Sequence, residues 1–352
     1  MAEPVPVAVT MGEPAGIGTE VVLKSYARFA AEPPGNAPVF FLIDDPARVE
    51  KIVRTVGVGV RVGSIERAAD AAAVFPAALP VLPLARGVTD ALLHVTPGTP
   101  SGATADAVTG SIDQAVALCL AGEAAGVATA PIHKKVLLDA GFSYPGHTEY
   151  LGALTDDAAL PQGFVRGPVM MLAAGRFRVV PVTIHERLAD VPSLLTADRI
   201  VRTGMVTAQA LRRDFGVREP RLAVTGLNPH AGEGGAMGTE ERDVIEPAIA
   251  ALREQGVEAF GPIPADTLFH EEARVAYDAA LAMYHDQALI PIKTVAFHDA
   301  VNVTLGLPVV RTSPDHGTAF PIAGRGVARA DSMTGAILQA ARMAAARAAF
   351  AS

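Results

Sequence analysis

VPVAVTMGEPAGIGTEVVLKSYARFA, residues 5–30, holds in one run the three parts from which most of the chain is built. VPVAVTM is β-branched and reads as a strand, GEPAGIG as a Gly/Pro loop, and TEVVLKSYARFA as a helix. The pattern then recurs. PVFFLID is a second strand, followed by a helix over DPARVEKIVRTVG with Pro46 near its first turn, where a missing amide does no harm. TADAVTGSIDQAVALCLAG, TADRIVRTGMVTAQALRRDFG and TEERDVIEPAIAALREQG read as helices, GVATAPI and PRLAVTGL as strands. Such alternation predicts an α/β protein with a largely parallel sheet and helices on both faces. One segment departs from it. PVMMLAAGRFRVVPVTI, residues 168–184, reads as two strands around a tight Ala-Gly turn, an antiparallel hairpin that makes the expected sheet mixed.

The bulk numbers agree with a globular protein. With 352 residues, 50% hydrophobic and 19% charged, the chain can bury a large core and is expected to form two domains. The Gly/Pro loop at 94–107 is expected near a domain crossing. A net charge of −8 and a pI near 5.6 argue against a nucleic-acid partner, while leaving room for an anionic substrate held by a few local cations. Cys119 is the single cysteine, so no disulfide framework or Cys-based metal site can form, and it reads as a small core residue. The N-terminal residues lack a basic and then apolar signal pattern, and no apolar run reaches membrane-span length. A cytoplasmic location with no membrane partner is the expectation.

In open α/β folds ligands gather at the carboxyl ends of strands, so polar residues just after strands carry the chemistry. His185 follows the second hairpin strand, His230 sits in a Gly-rich loop after PRLAVTGL, and His285 follows the apolar run AALAMY. His147 and Thr148 stand in a turn before a helix. Each histidine alone fits a structural role. Imidazoles from three strand ends suit an open divalent-metal site, although His298 and His316 compete for membership. Lys293, Asn302 and Arg311 each close or interrupt an apolar run, where a charge needs a partner. They suit either a phosphate or carboxylate, or ion pairs with Asp286, Asp299 or Asp315. Asp286 is placed to orient the adjacent imidazole of His285. No GxGxxG, GxxxxGK[ST] or GxSxG motif occurs, and GEPAGIGTE serves as a tight turn or an anion-facing loop.

Taken together, TMGEPAGIGTE, PIHKK, GHTEYL, LNPHAGEGG, GPIPADTLF, AMYHDQALIPIKT, VNVTLGLPVVRTSPDHGTAF and IAGRGVARADSM closely resemble the 4-hydroxythreonine-4-phosphate dehydrogenase family of pyridoxal 5′-phosphate biosynthesis, in order from about residue 7 to 340. The resemblance implies a two-domain fold like that of isocitrate and isopropylmalate dehydrogenases, with HGTAFPIAGRG as the cofactor loop in place of a Rossmann fingerprint. It places one domain at 1–130 plus 300–352 and the other, with dimerisation and metal-site elements, at 131–299. It implies a homodimer whose metal ligands are His185, His230 and His285, the last contributed across the interface. Substrate contacts would come from His147, Thr148, Lys293, Asn302 and Arg311, and cofactor contacts from His316, Gly317 and Thr318. The implied reaction is oxidation of the C3 hydroxyl of 4-phosphooxy-L-threonine by NAD or NADP, with a divalent ion (zinc, magnesium, cobalt or manganese), followed by decarboxylation. Lys293, Asp266, or solvent through His147 would take the proton. Relatives acting on 4-phosphoerythronate or phosphothreonate keep the same residues and are the alternative. A metal-dependent hydrolase and a non-catalytic phosphometabolite-binding protein are weaker readings, since neither an HExxH helix nor a carboxylate-rich two-metal site is present.

Overall fold

The computed structural model describes residues 5–33, 35–144 and 146–351. The chain divides into two compact units, residues 1–159 with 308–344 and residues 160–307 with 345–352. The 94–107 loop lies inside the first unit, well away from these crossings.

The first unit is a parallel α/β layer. Its strands are β1 (Val7–Thr10), β2 (Phe40–Ile43), β3 (Val62–Ser64), β4 (Leu79–Leu82), β5 (Val127–Thr129) and β12 (Arg311–Pro314), in the order β3-β4-β2-β1-β5-β12 and all parallel. Every residue of β1, β2 and β5 is buried, as expected of parallel strands covered on both faces. The helix Pro46–Val56 begins as its sequence predicts. Asp45 accepts the amide of Arg48 as N-cap, Pro46 takes the first position, and Gly57 ends the helix at φ 68°. Tyr26, Phe40 and Phe75 meet edge to face, with ring centroids 5.2 and 6.4 Å apart. Cys119 is half-buried and packs against the rim of this core.

The second unit is mixed. Its strands are β6 (Val169–Ala174), β7 (Phe177–Pro181), β8 (Arg221–Thr225), β9 (Glu258–Ile263), β10 (Ala279–Ala282) and β11 (Val301–Leu305), in the order β11-β6-β7-β10-β8-β9. β6 and β7 form the expected hairpin: Ala174 pairs with Phe177, and the two-residue loop uses Gly175 at φ 60°. β11 adds to β6 antiparallel, while β7, β10, β8 and β9 run parallel. β10 is AALA, four fully buried small or aliphatic residues at the centre of this sheet. Two residues further on, the helix His285–Ala296 starts, and it packs Ala288, Leu289 and Ile292 into the core. This helix carries both His285 and Lys293. Among the described residues no helix is long and apolar enough to cross a membrane.

Candidate active site

In the first unit the site grows from the ends of β5 and β12. Arg311 opens β12 and is only 3% exposed. Its Nε and Nη2 donate to the Thr129 hydroxyl at 3.2 and 2.8 Å, so the last residue of β5 fixes the guanidinium plane. Burial lowers the Arg311 pKa to about 10, and the Glu149 carboxylate acts in the opposite sense; the group stays cationic at neutral pH. His147 is the first residue of the helix His147–Leu154, with Thr148 beside it, half-buried. Burial first, then the charges of Arg311 and Lys134, hold the His147 pKa well below its usual value, so the ring is neutral. Its Nε2 is buried without a hydrogen-bond partner among the described residues. Lys134 closes this side: a Cβ on Gly146 would stand 3.1 Å from its Nζ and 3.2 Å from Glu149 Oε2, so glycine makes room for both side chains.

The helix bearing His147 is tied down by Tyr150, whose hydroxyl donates in a very short hydrogen bond to Asp113. Arg86 holds the other oxygen of Asp113 at 2.6 Å. Near the same strand ends, GEPAGIG forms a buried tight turn. The amide of Glu13 donates to Pro131 O, that of Gly16 to Glu13 O, and that of Ala15 to Glu13 Oε1; burial raises the Glu13 pKa. The turn abuts the residues expected at the cofactor: Ile17 N donates to Thr318 O at 3.1 Å, and a Cβ on Gly16 would come within 2.9 Å of that oxygen. Next to Thr318, the exposed Gly317 follows His316, whose Nδ1 contacts Gly317 O at 3.0 Å and whose Nε2 is buried without a hydrogen-bond partner among the described residues.

In the second unit two of the predicted imidazoles meet. His185 and His285 lie with ring centroids 5.9 Å apart beside a cavity also lined by Thr183, Glu186, Tyr284 and Asp286. Thr183 continues the β7 direction by donating its hydroxyl to Met283 O at 2.7 Å; the backbone then turns so that His185 has φ 49°, a left-handed conformation rare outside glycine. His285 Nδ1 sits 2.7 Å from Asp286 Oδ1, the arrangement expected from their adjacency, which leaves Nε2 as the ring nitrogen not engaged by Asp286. Gln287 ties two strand ends together. Its Oε1 accepts Met283 N and the Thr225 hydroxyl, both at 2.7 Å, and its Nε2 donates to Gly226 O at 2.7 Å.

The other predicted residues of this unit stand apart. His230 follows β8 on an exposed loop, its side chain 67% accessible and 3.6 Å from Glu233. Among the described residues no three His, Cys, Asp or Glu side chains of this chain converge as a metal-holding group. Lys293 is half-buried, two turns along the helix from His285, and borders a groove with Leu289, Ile290 and Phe297. Asn302 is half-buried on β11 opposite Leu172, and Asp266 is exposed on the short helix Ala265–Leu268. Lys134, Thr129, Gln287 and Glu241 were not singled out from the sequence. Thr129 is the last residue of the strand within GVATAPI, and Lys134 in PIHKK opens the helix that follows; position at and beyond a strand end is the signal that could have found them.

In the first unit a buried guanidinium, an imidazole and an ammonium group gather beside the end of β5, an arrangement suited to an anionic metabolite. The chain belongs to the family described as pyridoxal phosphate biosynthetic protein PdxA, whose family model matches residues 36–340, and with it to the oxidoreductases. It is 53% identical to the 4-hydroxythreonine-4-phosphate dehydrogenase of Caulobacter vibrioides over 97% of this chain and 98% of that one. The corresponding Bradyrhizobium diazoefficiens protein is 50% identical, with 97% and 98% covered. Among solved structures, the 4-hydroxythreonine-4-phosphate dehydrogenase of Klebsiella pneumoniae is 38% identical with a TM-score of 0.84, covering 97% of this chain and 99% of that one. A terephthalate 1,2-cis-dihydrodiol dehydrogenase from Burkholderia xenovorans LB400 is 27% identical with a TM-score of 0.63, covering 97% and 98%.

Proposed function

We propose that the chain oxidises the C3 hydroxyl of 4-phosphooxy-L-threonine with NAD⁺ or NADP⁺ to 2-amino-3-oxo-4-phosphooxybutanoate, which loses CO₂ to give 3-amino-2-oxopropyl phosphate. The observation that carries this reading is the buried, unpartnered Nε2 of the neutral His147 beside the cationic Arg311 and Lys134. A neutral imidazole there can donate to a phosphate or carboxylate oxygen without adding a third charge. Arg311, its plane fixed by Thr129, is suited to a two-oxygen contact. Thr148, Lys293 and Asn302 add further donors to the two acidic ends of the substrate.

We assign the divalent ion to His185, His230 and His285. We place these ligands in a homodimer in which His285 completes the partner's site; the support is that among the described residues no three His, Cys, Asp or Glu side chains of one chain converge. When bound, the ion would supply Lewis acidity toward the substrate hydroxyl and the nicotinamide a hydride acceptor. Lys293, Asp266, or solvent through His147 takes the hydroxyl proton in this reading. The cofactor lies against His316, Gly317 and Thr318, where the buried His316 Nε2 awaits a partner. The deciding experiment measures NAD⁺ and NADP⁺ reduction on 4-phosphooxy-L-threonine, 4-phosphoerythronate and phosphothreonate side by side, with each divalent ion. A higher kcat/KM on either sugar acid would overturn the substrate assignment.

A further inference from the structure

The loop after β8 has an unusual backbone. His230, Ala231, Gly232, Glu233 and Gly234 are all left-handed, with φ of 54°, 49°, 81°, 45° and 65°. Left-handed backbone is unfavourable for a residue with a Cβ, and three of these five have one. Within the loop, Ala231 N donates to Asn228 O and Met237 N to Gly232 O, at 3.1 Å each. A stretch so costly needs an anchor outside itself.

Glu241 supplies it. Its side chain is buried, and Oε1 accepts the amides of Leu227 at 2.8 Å and Asn228 at 2.7 Å, while Oε2 accepts Asn228 Nδ2 at 3.0 Å. Two glycines exist to admit this carboxylate: a Cβ on Gly226 would lie 3.1 Å from Oε1, and one on Gly232 would lie 2.6 Å from Oε2. One carboxylate thus holds the loop at its root by hydrogen bonds, and its Oε2 packs against Gly232 within the left-handed stretch. Glu241 opens a π-helical turn, Glu241–Ile245, a local irregularity frequent where a side chain must be aimed. The neighbouring Glu240 also accepts Asn228 Nδ2, at 2.7 Å, and its remaining backbone hydrogen bonds are to its own amide and that of Thr239, not to the loop root.

We infer that Glu241 is a positioning residue that fixes His230 for metal binding. This rests on the assignment of His230 as a metal ligand. Groups that orient a ligand typically contribute 10- to 100-fold to metal affinity.

The test measures Co²⁺ and Zn²⁺ binding to the full-length protein by equilibrium dialysis, the visible spectrum of the Co²⁺ form, and thermal unfolding. Glu241→Gln keeps the volume but removes the charge, and turns a donor toward Asn228 Nδ2. It is expected to weaken metal binding at least tenfold and alter the Co²⁺ spectrum, with the thermal midpoint little changed; Glu240→Gln is expected to leave all three readouts near wild type. A folded Glu241→Gln with wild-type affinity and spectrum would overturn the inference. His230→Ala separates the two levels: if it too keeps full affinity, the ligand assignment itself falls. Should Glu241→Gln not fold, amide exchange on the unmodified protein decides. Leu227 and Asn228 amides must be strongly protected, and exchange as fast as in an exposed loop overturns the grip.

Discussion

Arg311→Met tests the anion site with the least disturbance elsewhere. The guanidinium is buried and held by Thr129, so methionine of similar length can fill its space. The Thr129 hydroxyl keeps an acceptor in Thr312 O, at 3.5 Å. Removing a buried charge also removes its desolvation cost, so the thermal midpoint should stay within about 2 °C, the shift that about 1 kcal/mol produces in a chain of this size. Substrate binding should respond quite differently. Losing two charge-assisted hydrogen bonds to an anion costs about 3 kcal/mol, or about 150-fold in kcat/KM, carried mainly by KM if the contact is equal in ground and transition states. A third readout comes from His147. Burial is the first cause of its depressed pKa and Arg311 the second, so the variant should raise that pKa while leaving it below the ordinary histidine range. Steady-state kinetics, thermal unfolding and ¹⁵N-histidine NMR titration, with His147→Gln to assign the resonance, measure the three. A kcat/KM within threefold of wild type would refute the anion role, and an unmoved His147 pKa would refute the electrostatic link.

Because His147 is neutral in the folded protein, the unfolded chain takes up its proton first. Its contribution to stability is therefore complete above about pH 6.5 and is lost as pH falls, by up to about 1.4 kcal/mol per unit; urea unfolding from pH 7.5 to 5 should show this component in wild type and not in His147→Gln. Tyr150→Phe deletes the hydrogen bond to Asp113, while Arg86 still holds that carboxylate. About 1.5–3 kcal/mol of stability should go in a urea titration, and KM for the phosphorylated substrate should rise because the same helix carries His147 and Thr148. Asp286→Asn should weaken Zn²⁺ binding about 10- to 100-fold by dialysis with the fold intact, since the carboxylate beside Nδ1 sets the ring's tautomer and angle.

The fold was legible because its signals are local. A β-branched run that ends in a Gly/Pro loop and resumes as a helix needs no distant information, and β1, β2, β5 and β8 fall where such runs predict them. The hairpin of β6 and β7 was legible for the same reason, since Gly175 supplies the one left-handed residue its turn needs. Less local features did not show. YDAALAMYHDQALIPIK reads as two similar apolar runs, yet the first is a strand and the second a helix with Pro291 inside it. Periodicity cannot separate short buried strands from buried helical turns; what separates them here is Gln287, whose hydrogen bonds to Met283, Thr225 and Gly226 fix the change of direction.

The candidate site divides along the same line. Residues that end strands were readable one at a time, because position after a strand already implies the ligand-facing edge. Residues that aim them were not, because their partners are remote in sequence: Thr129 meets Arg311 182 residues away, and Asp113 meets Tyr150 37 residues away. Glu241 is the sharpest instance. In the sequence it is one of two adjacent glutamates at the start of a charged helix, a place where acidic residues ordinarily answer the helix dipole. Only the fold shows the division of labour between them, with Glu240 on the Asn228 side-chain amide and the local Thr239 and Glu240 backbone, and Glu241 on the two backbone amides of the loop root. GLNPHAGEGG and the Glu-Glu pair beyond it therefore form one device. The glycines make room for the carboxylate, and the carboxylate holds a backbone that would otherwise not stay left-handed at His230.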